Sequence, residues 1–218
     1  MRPEGEFILL GAIIIIFTLA LTAAVFFVVP PAEGLGYLVR IIYFHVPMAW
    51  VSVLAFLGSA WWAVRFLRSA DMLQARKSYL SAQWGLLFTL LATVSGAIFA
   101  KLTWGAFWNW DPRQTTIFVL LLIYGAYLTL HAAIEEPERR ARVCAVYAIM
   151  AFLTVPFLVF ILPRLYFSLH PSPIVNGTGL AMEPVMLIVL LAAMADATLM
   201  YIWLLQRGLR SGKGREHV

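Results

Sequence analysis

The feature that most constrains this chain is a series of long apolar runs, the first of which covers residues 7–29 without a charge. At a rise of about 1.5 Å per residue, a helix of that length crosses a hydrocarbon core of about 30 Å. The run is too long for the core of a signal peptide, and no persuasive cleavage site follows it, so we interpret it as a retained span. Similar runs follow at about 47–64, 82–100, 115–134, 143–162 and 184–206.

These runs predict an all-α integral membrane protein with six transmembrane helices in a single domain, residues 1–218. The composition agrees, since 62% of the residues are apolar and only 12% are charged, whereas soluble domains are about 25% charged. Pro156 predicts a kink in the fifth span. Cys144 is the single cysteine, which excludes an internal disulfide, C-x-x-C redox chemistry and the C-x-x-C-H motif of covalent cofactor attachment.

The basic residues indicate how the spans are oriented. With six spans, both termini lie on one side of the membrane, and most of the lysines and arginines fall on that side: Arg2, Arg65, Arg68, Arg76, Lys77, Arg139, Arg140, Arg142, Arg207, Arg210, Lys213 and Arg215. The other side has Arg40, Lys101, Arg113 and Arg164. The positive-inside rule therefore predicts cytoplasmic termini, with outward loops at about 30–46, 101–114 and 163–183. The net charge of +5 follows this topology and gives no reason to expect a nucleic-acid partner.

The middle outward loop is an aromatic and polar segment between two spans, Trp104–Thr115, with the sequence W-G-A-F-W-N-W-D-P-R-Q-T. Trp104, Phe107, Trp108 and Asp111 fall at i, i+3, i+4 and i+7. If the segment is helical, these side chains form one face that lies in the membrane interface. Such a face is a platform for a large planar apolar ligand.

The same segment has a plainer interpretation, which stays open. Tryptophan is enriched wherever a protein meets the membrane–water boundary. Asp111 is a good N-cap for the fourth span, with Pro112 at the first helical position and Gln114 placed to complete a capping box.

The two other outward loops each contain one histidine. His45 stands in Y-F-H-V-P at the outer mouth of the second span. Pro47 disfavours helix at the preceding residue, although the histidine lies one turn inside if the helix continues with a kink. His170 stands in S-L-H-P-S-P, in a loop that is long for a compact bundle. Two neutral imidazoles on one face, beside an aromatic shelf, are what axial ligation of haem iron requires.

A porphyrin also needs cations for its two propionates. Arg113 is the first choice because a planar guanidinium binds a carboxylate in two places, and Arg40, Arg164 and Lys101 lie on the same side. Asp111 is placed to accept the second N–H of a ligating imidazole. The alternative is that the arginines contact lipid headgroups and that the histidines are ordinary interfacial residues.

These residues resemble a known family. The pattern W-G-x-x-W-x-W-D with the following Arg and Thr is present at Trp104, Gly105, Trp108, Trp110, Asp111, Arg113 and Thr115. Together with F-H-V-P at 44–47, L-H-P at 169–171 and the six-span size, it is similar to the tryptophan-rich, haem-handling family of cytochrome c maturation protein C. The resemblance covers nearly the whole chain. One departure is Gln114, where the family leads us to expect leucine.

The resemblance implies a non-covalent, b-type haem at the outer face of the bacterial cytoplasmic membrane, with His45 and His170 as axial ligands and the tryptophan segment beneath the ring. It implies delivery of that haem to a periplasmic haem chaperone, cytochrome c maturation protein E, which becomes covalently linked to it. Small protein D and the ATP-binding cassette subunits A and B are the other implied partners, besides membrane lipid. No residues form a classical catalytic site, and the resemblance implies at most haem-lyase-like assistance of attachment. We further hypothesise that the Pro-flanked His170 loop is the mobile part that releases haem.

Asp196 falls in the middle of the sixth span, where an ionised carboxylate costs several kcal/mol unless it is paired. It is either a proton or coupling site, or a hydrogen-bonded residue packed against a polar group such as Ser95 or Gln83. Two rival functions are also open. A membrane b-type cytochrome for electron transfer usually has histidines inside its helices in both halves of the bilayer. A haem-independent transporter is expected to have broken helices or midplane polar residues.

Overall fold

The structure, a computed structural model, describes residues 4–170, 175–176, 179–180 and 182–213. Within these residues it has six helices long and apolar enough to cross a membrane, which confirms the predicted six-helix membrane fold. The helices are α1 (Glu4–Phe27), α2 (Ile42–Ser69), α3 (Met72–Trp104), α4 (Pro112–Ala133), α5 (Pro137–Pro156), the short α6 (Leu162–Leu165) and α7 (Pro184–Lys213). A 3-10 turn, Tyr37–Ile41, precedes α2, and the two-residue strands β1 (Val175–Asn176) and β2 (Gly179–Leu180) pair antiparallel.

Several helices continue beyond the apolar runs that predicted them. Helix α2 begins at Ile42, so Pro47 lies inside it, and of the two positions considered for His45 the structure has the one inside the helix. At the turn between α2 and α3, Ala70 adopts a left-handed conformation and the Asp71 side chain accepts a hydrogen bond from the Leu73 N–H. Capping residues and not the edges of the apolar runs determine where these helices end. Backbone hydrogen bonding can continue beyond the hydrocarbon until a capping residue stops it.

Pro156 ends the regular part of α5. The next five residues, Phe157–Ile161, form a π-helical turn, and the short α6 follows. A proline removes one helical N–H donor and crowds the preceding turn, and a wider turn relieves that crowding. This irregular end leads directly to the His170 loop.

The centre of the bundle is packed with aromatic rings set against small residues. Phe56 of α2 stacks on Tyr124 of α4 with ring centroids 3.5 Å apart, and both side chains are fully buried. A Cβ on Gly85 of α3 would come within 2.5 Å of the Phe56 ring, so the glycine lets α2 and α3 approach closely. This tight α2–α3 pair is the rigid support for the first histidine.

Helix α1 packs against α7, at the edge of the bundle. Phe7 and Trp203 stack with centroids 5.5 Å apart, and the Thr18 hydroxyl donates to Asp196 Oδ2 at 2.7 Å. Asp196 is therefore hydrogen-bonded to a polar group, as one of the two interpretations expected, but that group is Thr18 of α1 and not Ser95 or Gln83. Asp196 Oδ1 is buried and has no hydrogen-bond partner among the described residues.

The start of α2, the loop between α3 and α4, and the segment after α6 lie at one end of the bundle, which we call the loop end. The opposite end, with the start of α1 and the end of α7, is the terminal end. The candidate functional residues gather at the loop end.

Candidate functional site

His45 lies in the first turns of α2 and its ring leans on α3. Its Nδ1 is 2.9 Å from the Ala92 carbonyl oxygen and 3.2 Å from the Ser95 hydroxyl. A carbonyl can only accept, so Nδ1 bears the hydrogen and donates it. In the neutral ring, Nε2 then has the free lone pair that a metal requires.

Gly96 explains how the His45 ring can lie so close to α3. A Cβ built on this glycine would be 2.9 Å from Cε1 and 3.3 Å from Nδ1 of His45. Any side chain at this position would push the imidazole away. We did not single out Gly96 from the sequence, because the only signal there is a glycine inside an apolar run.

His170 lies close to His45, although the two come from different ends of the sequence. Their ring centroids are 6.2 Å apart and the ring planes are inclined by 40°. Metal–nitrogen bonds of about 2 Å on each side of one metal ion would separate two imidazole centroids by about 6 Å. The separation thus fits a pair of axial ligands. Pro171 and Pro173, which flank the predicted mobile loop, lie outside the described residues.

The tryptophan-rich loop is not helical. Helix α3 ends at Trp104, and Gly105 follows in a left-handed conformation with φ 83° and its N–H bonded to the Lys101 carbonyl. The condition under which Trp104, Phe107, Trp108 and Asp111 would form one helical face is therefore not met. A left-handed glycine terminates a helix whatever the spacing of the apolar residues beyond it.

The three tryptophans of the loop are held edge to face. Trp104 packs against Phe99 with centroids 5.6 Å apart, and Trp108 packs against both Trp110 and Phe118, at 5.7 and 6.1 Å. Trp110 is 74% exposed and has a positive φ of 55°. A left-handed backbone is strained for so bulky a residue, and such strain is concentrated at functional sites. The loop thus presents the Trp110 indole outward.

Asp111 joins the tryptophan loop to the His170 loop. Its carboxylate is 5% exposed and caps α4 by accepting from the Arg113 N–H at 2.9 Å, as predicted. It also accepts from the Ser168 hydroxyl, at 3.1 Å on Oδ1 and 2.9 Å on Oδ2, and from the Leu169 N–H at 2.8 Å. The Ser168 oxygen in turn accepts from the His170 N–H at 3.1 Å. We call these contacts of Asp111, Ser168 and Leu169 the Asp111 latch.

The expectation that Asp111 accepts the second N–H of a ligating imidazole does not hold for His45. The hydrogen-bond acceptor for the Nδ1–H of His45 is the Ala92 carbonyl and not a carboxylate. The donors from Ser168 and Leu169 occupy the Asp111 oxygens instead. A carboxylate can accept several hydrogen bonds at once, and the sequence does not say which donors the fold will bring to it.

Gln114 stabilises the loop in a way that the sequence pattern did not predict. Its Oε1 accepts from the Asn109 N–H at 2.8 Å, and its Nε2 donates to the Phe107 carbonyl at 3.3 Å. The Asp111 half of the predicted capping box is present, but Gln114 reaches back into the loop and not to the Asp111 N–H. Gln114, in the first turn of α4, therefore holds the loop through two hydrogen bonds.

Two of the four predicted cations have unused donors. Arg113 is half-buried at the start of α4, and its Nε is buried with no hydrogen-bond partner among the described residues. The same holds for the Nε of Arg40, whose guanidinium lies 4.3 Å from the centroid of the Tyr37 ring. A buried N–H without a partner costs free energy, and a ligand carboxylate would satisfy it.

The other two cations are engaged locally. Arg164 is exposed and donates to the Phe160 carbonyl. Lys101 donates to the Gly105 carbonyl at 2.8 Å. Both side chains therefore help to close helix ends, a common use of basic residues.

Comparison with known proteins relates the chain to one protein family. A family model described as Heme exporter protein C matches residues 5–214. The Heme exporter protein C of Bradyrhizobium diazoefficiens is 29% identical over 183 residues, which cover 81% of this chain and 67% of the relative. That of Rhodobacter capsulatus is 34% identical over 139 residues, 59% of this chain and 55% of the relative.

A mitochondrial relative extends the comparison. The putative cytochrome c biosynthesis ccmC-like mitochondrial protein of Marchantia polymorpha is 33% identical over 149 residues, 68% of this chain and 62% of the relative. Across these three relatives, the matched part of the chain thus spans between 55% and 67% of their length.

Proposed function

Because this chain belongs to the heme exporter protein C family, we propose that it binds haem at the outer face of the bacterial cytoplasmic membrane, for the maturation of c-type cytochromes. The observation that most supports this is the pair of imidazoles at the loop end, with ring centroids 6.2 Å apart. The haem is b-type, held without a covalent bond. His45 and His170 are its axial ligands.

The rest of the site matches the other parts of the ligand. Trp104, Trp108 and Trp110 provide the aromatic surface for the macrocycle, and the exposed Trp110 indole is the first contact. Aromatic pairs contribute about 0.5–1.5 kcal/mol each beyond area burial. Arg113 binds a propionate through its unpartnered, buried Nε and the rest of its guanidinium fork.

The two histidines have different tasks in this proposal. His45 is fixed by its hydrogen bond to α3 through Nδ1, which leaves Nε2 as the nitrogen that would bind iron. His170 stands on a loop and depends on the Asp111 latch for its position. A carrier must release what it binds, so we assign release to the His170 side. Asp111 acts on the haem through that loop and not by touching iron.

We propose that the released haem passes to a periplasmic haem chaperone, cytochrome c maturation protein E. The chain would act in a complex with small protein D and the ATP-binding cassette subunits A and B. This requires the loop end to face the periplasm and the termini to face the cytoplasm. The excess of arginine and lysine at the terminal end supports that orientation.

The rival electron-transfer function receives less support. Among the described residues, the third histidine is His131, which stacks on Tyr79 with centroids 3.7 Å apart. Within the described residues no second histidine pair is formed in the other half of the membrane. His131 therefore serves as a matched control for the two proposed ligands.

The deciding experiment is an absorption spectrum of the full chain purified in mild detergent with added haem. We expect a low-spin, six-coordinate spectrum for the parent and for His131→Ala. His45→Ala and His170→Ala should each give a five-coordinate or weakly bound haem, and the double variant should lose it. A parent-like spectrum in the double variant would show that the ligands are other residues.

The orientation is tested separately. Single cysteines placed at 107 and at 139 in a Cys144→Ser background should react with an impermeant thiol reagent on opposite faces of intact cells. Labelling of position 139 from the periplasm would reverse the proposed topology.

A further inference from the structure

A concave site lies between α2 and α7 at the terminal end, at the end of the bundle opposite to His45 and His170. This groove has a volume of about 740 Å³ and is lined on α2 by Leu54, Leu57, Gly58, Trp61 and Trp62, on α3 by Lys77, and on α7 by Tyr201, Ile202, Leu205, Gln206 and Leu209. The volume is within the range of roughly 300–1,000 Å³ that is usual for ligand sites. We propose that this terminal groove binds one anionic phospholipid of the adjacent leaflet, and the proposal does not depend on haem.

The shape of the groove matches an acyl chain. From Leu54 to Trp62 it follows α2 over about 12 Å at 1.5 Å per residue. One leaflet of the hydrocarbon core is about 15 Å deep. The apolar lining therefore runs from the membrane surface almost to the midplane.

Gly58 makes room for the groove at its inner wall. A Cβ there would come within 2.8 Å of the Tyr201 hydroxyl. That hydroxyl already has a partner, because it donates to the Ser81 Oγ at 2.9 Å. The Tyr201 hydroxyl is therefore satisfied and does not need a polar partner from an acyl chain.

The charge at the mouth of the groove matches a phosphate. Lys77 lines the groove, and its Nζ lies 4.4 Å from the centroid of the Trp62 ring, with the Arg65 guanidinium 5.9 Å from the same ring. Asp71 is the nearby acid, and it accepts hydrogen bonds from Leu73 and from the Gln74 side chain. Basic pockets between spanning helices on the cytoplasmic side bind anionic headgroups.

A second groove provides a matched control. It has a volume of about 500 Å³ and lies along α4 and α5, lined by Leu130, Arg142, Val143, Val146, Tyr147 and Met150. It also has one basic residue, but Arg142 is exposed and has no aromatic partner among the described contacts. A lipid that is attracted only by surface charge would not distinguish Lys77 from Arg142.

The test is native mass spectrometry of the full chain in mild detergent, titrated with phosphatidylglycerol or with phosphatidylcholine. We expect one phosphatidylglycerol to bind more tightly than phosphatidylcholine. Lys77→Gln should weaken phosphatidylglycerol binding by about fivefold, the usual contribution of one cation at an anionic surface. Ile202→Trp, a change at a position that is 42% exposed, should fill the groove and block both lipids.

Arg142→Gln should leave the binding unchanged. Equal affinity for the two lipids, or equal losses in Lys77→Gln and Arg142→Gln, would overturn the proposal. A photo-crosslinker at Ile202 is expected to label lipid. Labelling of a second copy of the chain, or of another protein, would overturn it as well.

Discussion

The two histidines of the candidate site are held in place in different ways. His45 belongs to a helix, and its ring is fixed directly by the Ala92 carbonyl and by the flat surface at Gly96. His170 belongs to a loop, and it is positioned through its backbone by the Asp111 latch. One proposed axial ligand therefore depends on packing between two helices and the other on a few hydrogen bonds. The difference shows how a membrane protein can hold a bound molecule through a fixed side chain on one helix and release it through a side chain on a loop.

The largest effect is expected from Asp111→Ala, which removes the carboxylate of the Asp111 latch that positions the His170 loop. The Ser168 hydroxyl and the N–H groups of Leu169 and Arg113 would lose their acceptor, and a hydrogen bond to a charged group contributes about 1.5–3 kcal/mol. We expect haem affinity to fall at least as far as in His170→Ala, with an additional loss of thermal stability. Haem titration and thermal unfolding in detergent measure the two effects. Parent-like haem affinity would show that the latch does not position His170.

Gly96→Ala tests the contact between α3 and the His45 ring. The new Cβ would lie 2.9 Å from Cε1 of His45, so either the ring or α3 must move. Overpacking of this kind costs about 1–3 kcal/mol, and we expect a comparable loss in haem affinity.

The matched control is Gly125→Ala, because a Cβ on Gly125 meets nothing within 4 Å. Replacement of a helical glycine by alanine there should be neutral or stabilising by about 1 kcal/mol. Equal haem affinities in the two alanine variants would mean that His45 is not confined by α3.

Ser168→Ala should produce a moderate effect and sharpen the comparison, since it loosens the latch and leaves its carboxylate in place. The variant loses the hydrogen bonds of one hydroxyl, with a net contribution of about 1 kcal/mol. We expect haem to dissociate about fivefold faster, measured by transfer to an excess of an apo haem scavenger. Ser168→Thr, which keeps the hydroxyl, should dissociate at nearly the parent rate. A slower release in Ser168→Ala would contradict the assignment of release to this side.

The smallest effect is expected from Gln114→Leu. The leucine cannot accept from the Asn109 N–H or donate to the Phe107 carbonyl, but both groups lie near the surface, where water replaces the lost partner. We expect a change of less than about 1 kcal/mol in stability and no change in the absorption spectrum. A large spectral change would give the loop backbone a direct part in ligand binding.

Much of the fold was predictable because the bilayer permits few solutions. Backbone groups in hydrocarbon must bond within their own segment, so an apolar run of sufficient length predicts a helix. The structure confirmed six helices long and apolar enough to cross a membrane, and it brought His45 and His170 together. It also placed Asp111 at the N-cap of α4.

The contacts between helices were not predictable in this way. Spacing along the chain predicted a helical platform that Gly105 prevents, and it gave no sign that Asp111 would accept from the Ser168 segment. Gly96 and Thr18 were missed for the same reason, because their roles exist only when another helix lies against them. Small residues at such interfaces let helices approach, and their partners are a property of the assembled bundle.

The hydrogen bond from Thr18 to Asp196 has a consequence for biosynthesis. The ribosome makes α1 well before α7, so α1 enters the bilayer before its main neighbour exists. Until then the Thr18 hydroxyl is limited to the Ile14 carbonyl of its own helix, 2.9 Å away. Insertion of α7 therefore completes this edge of the bundle, and a nascent chain stalled before residue 184 would leave α1 without the helix that covers most of its buried face.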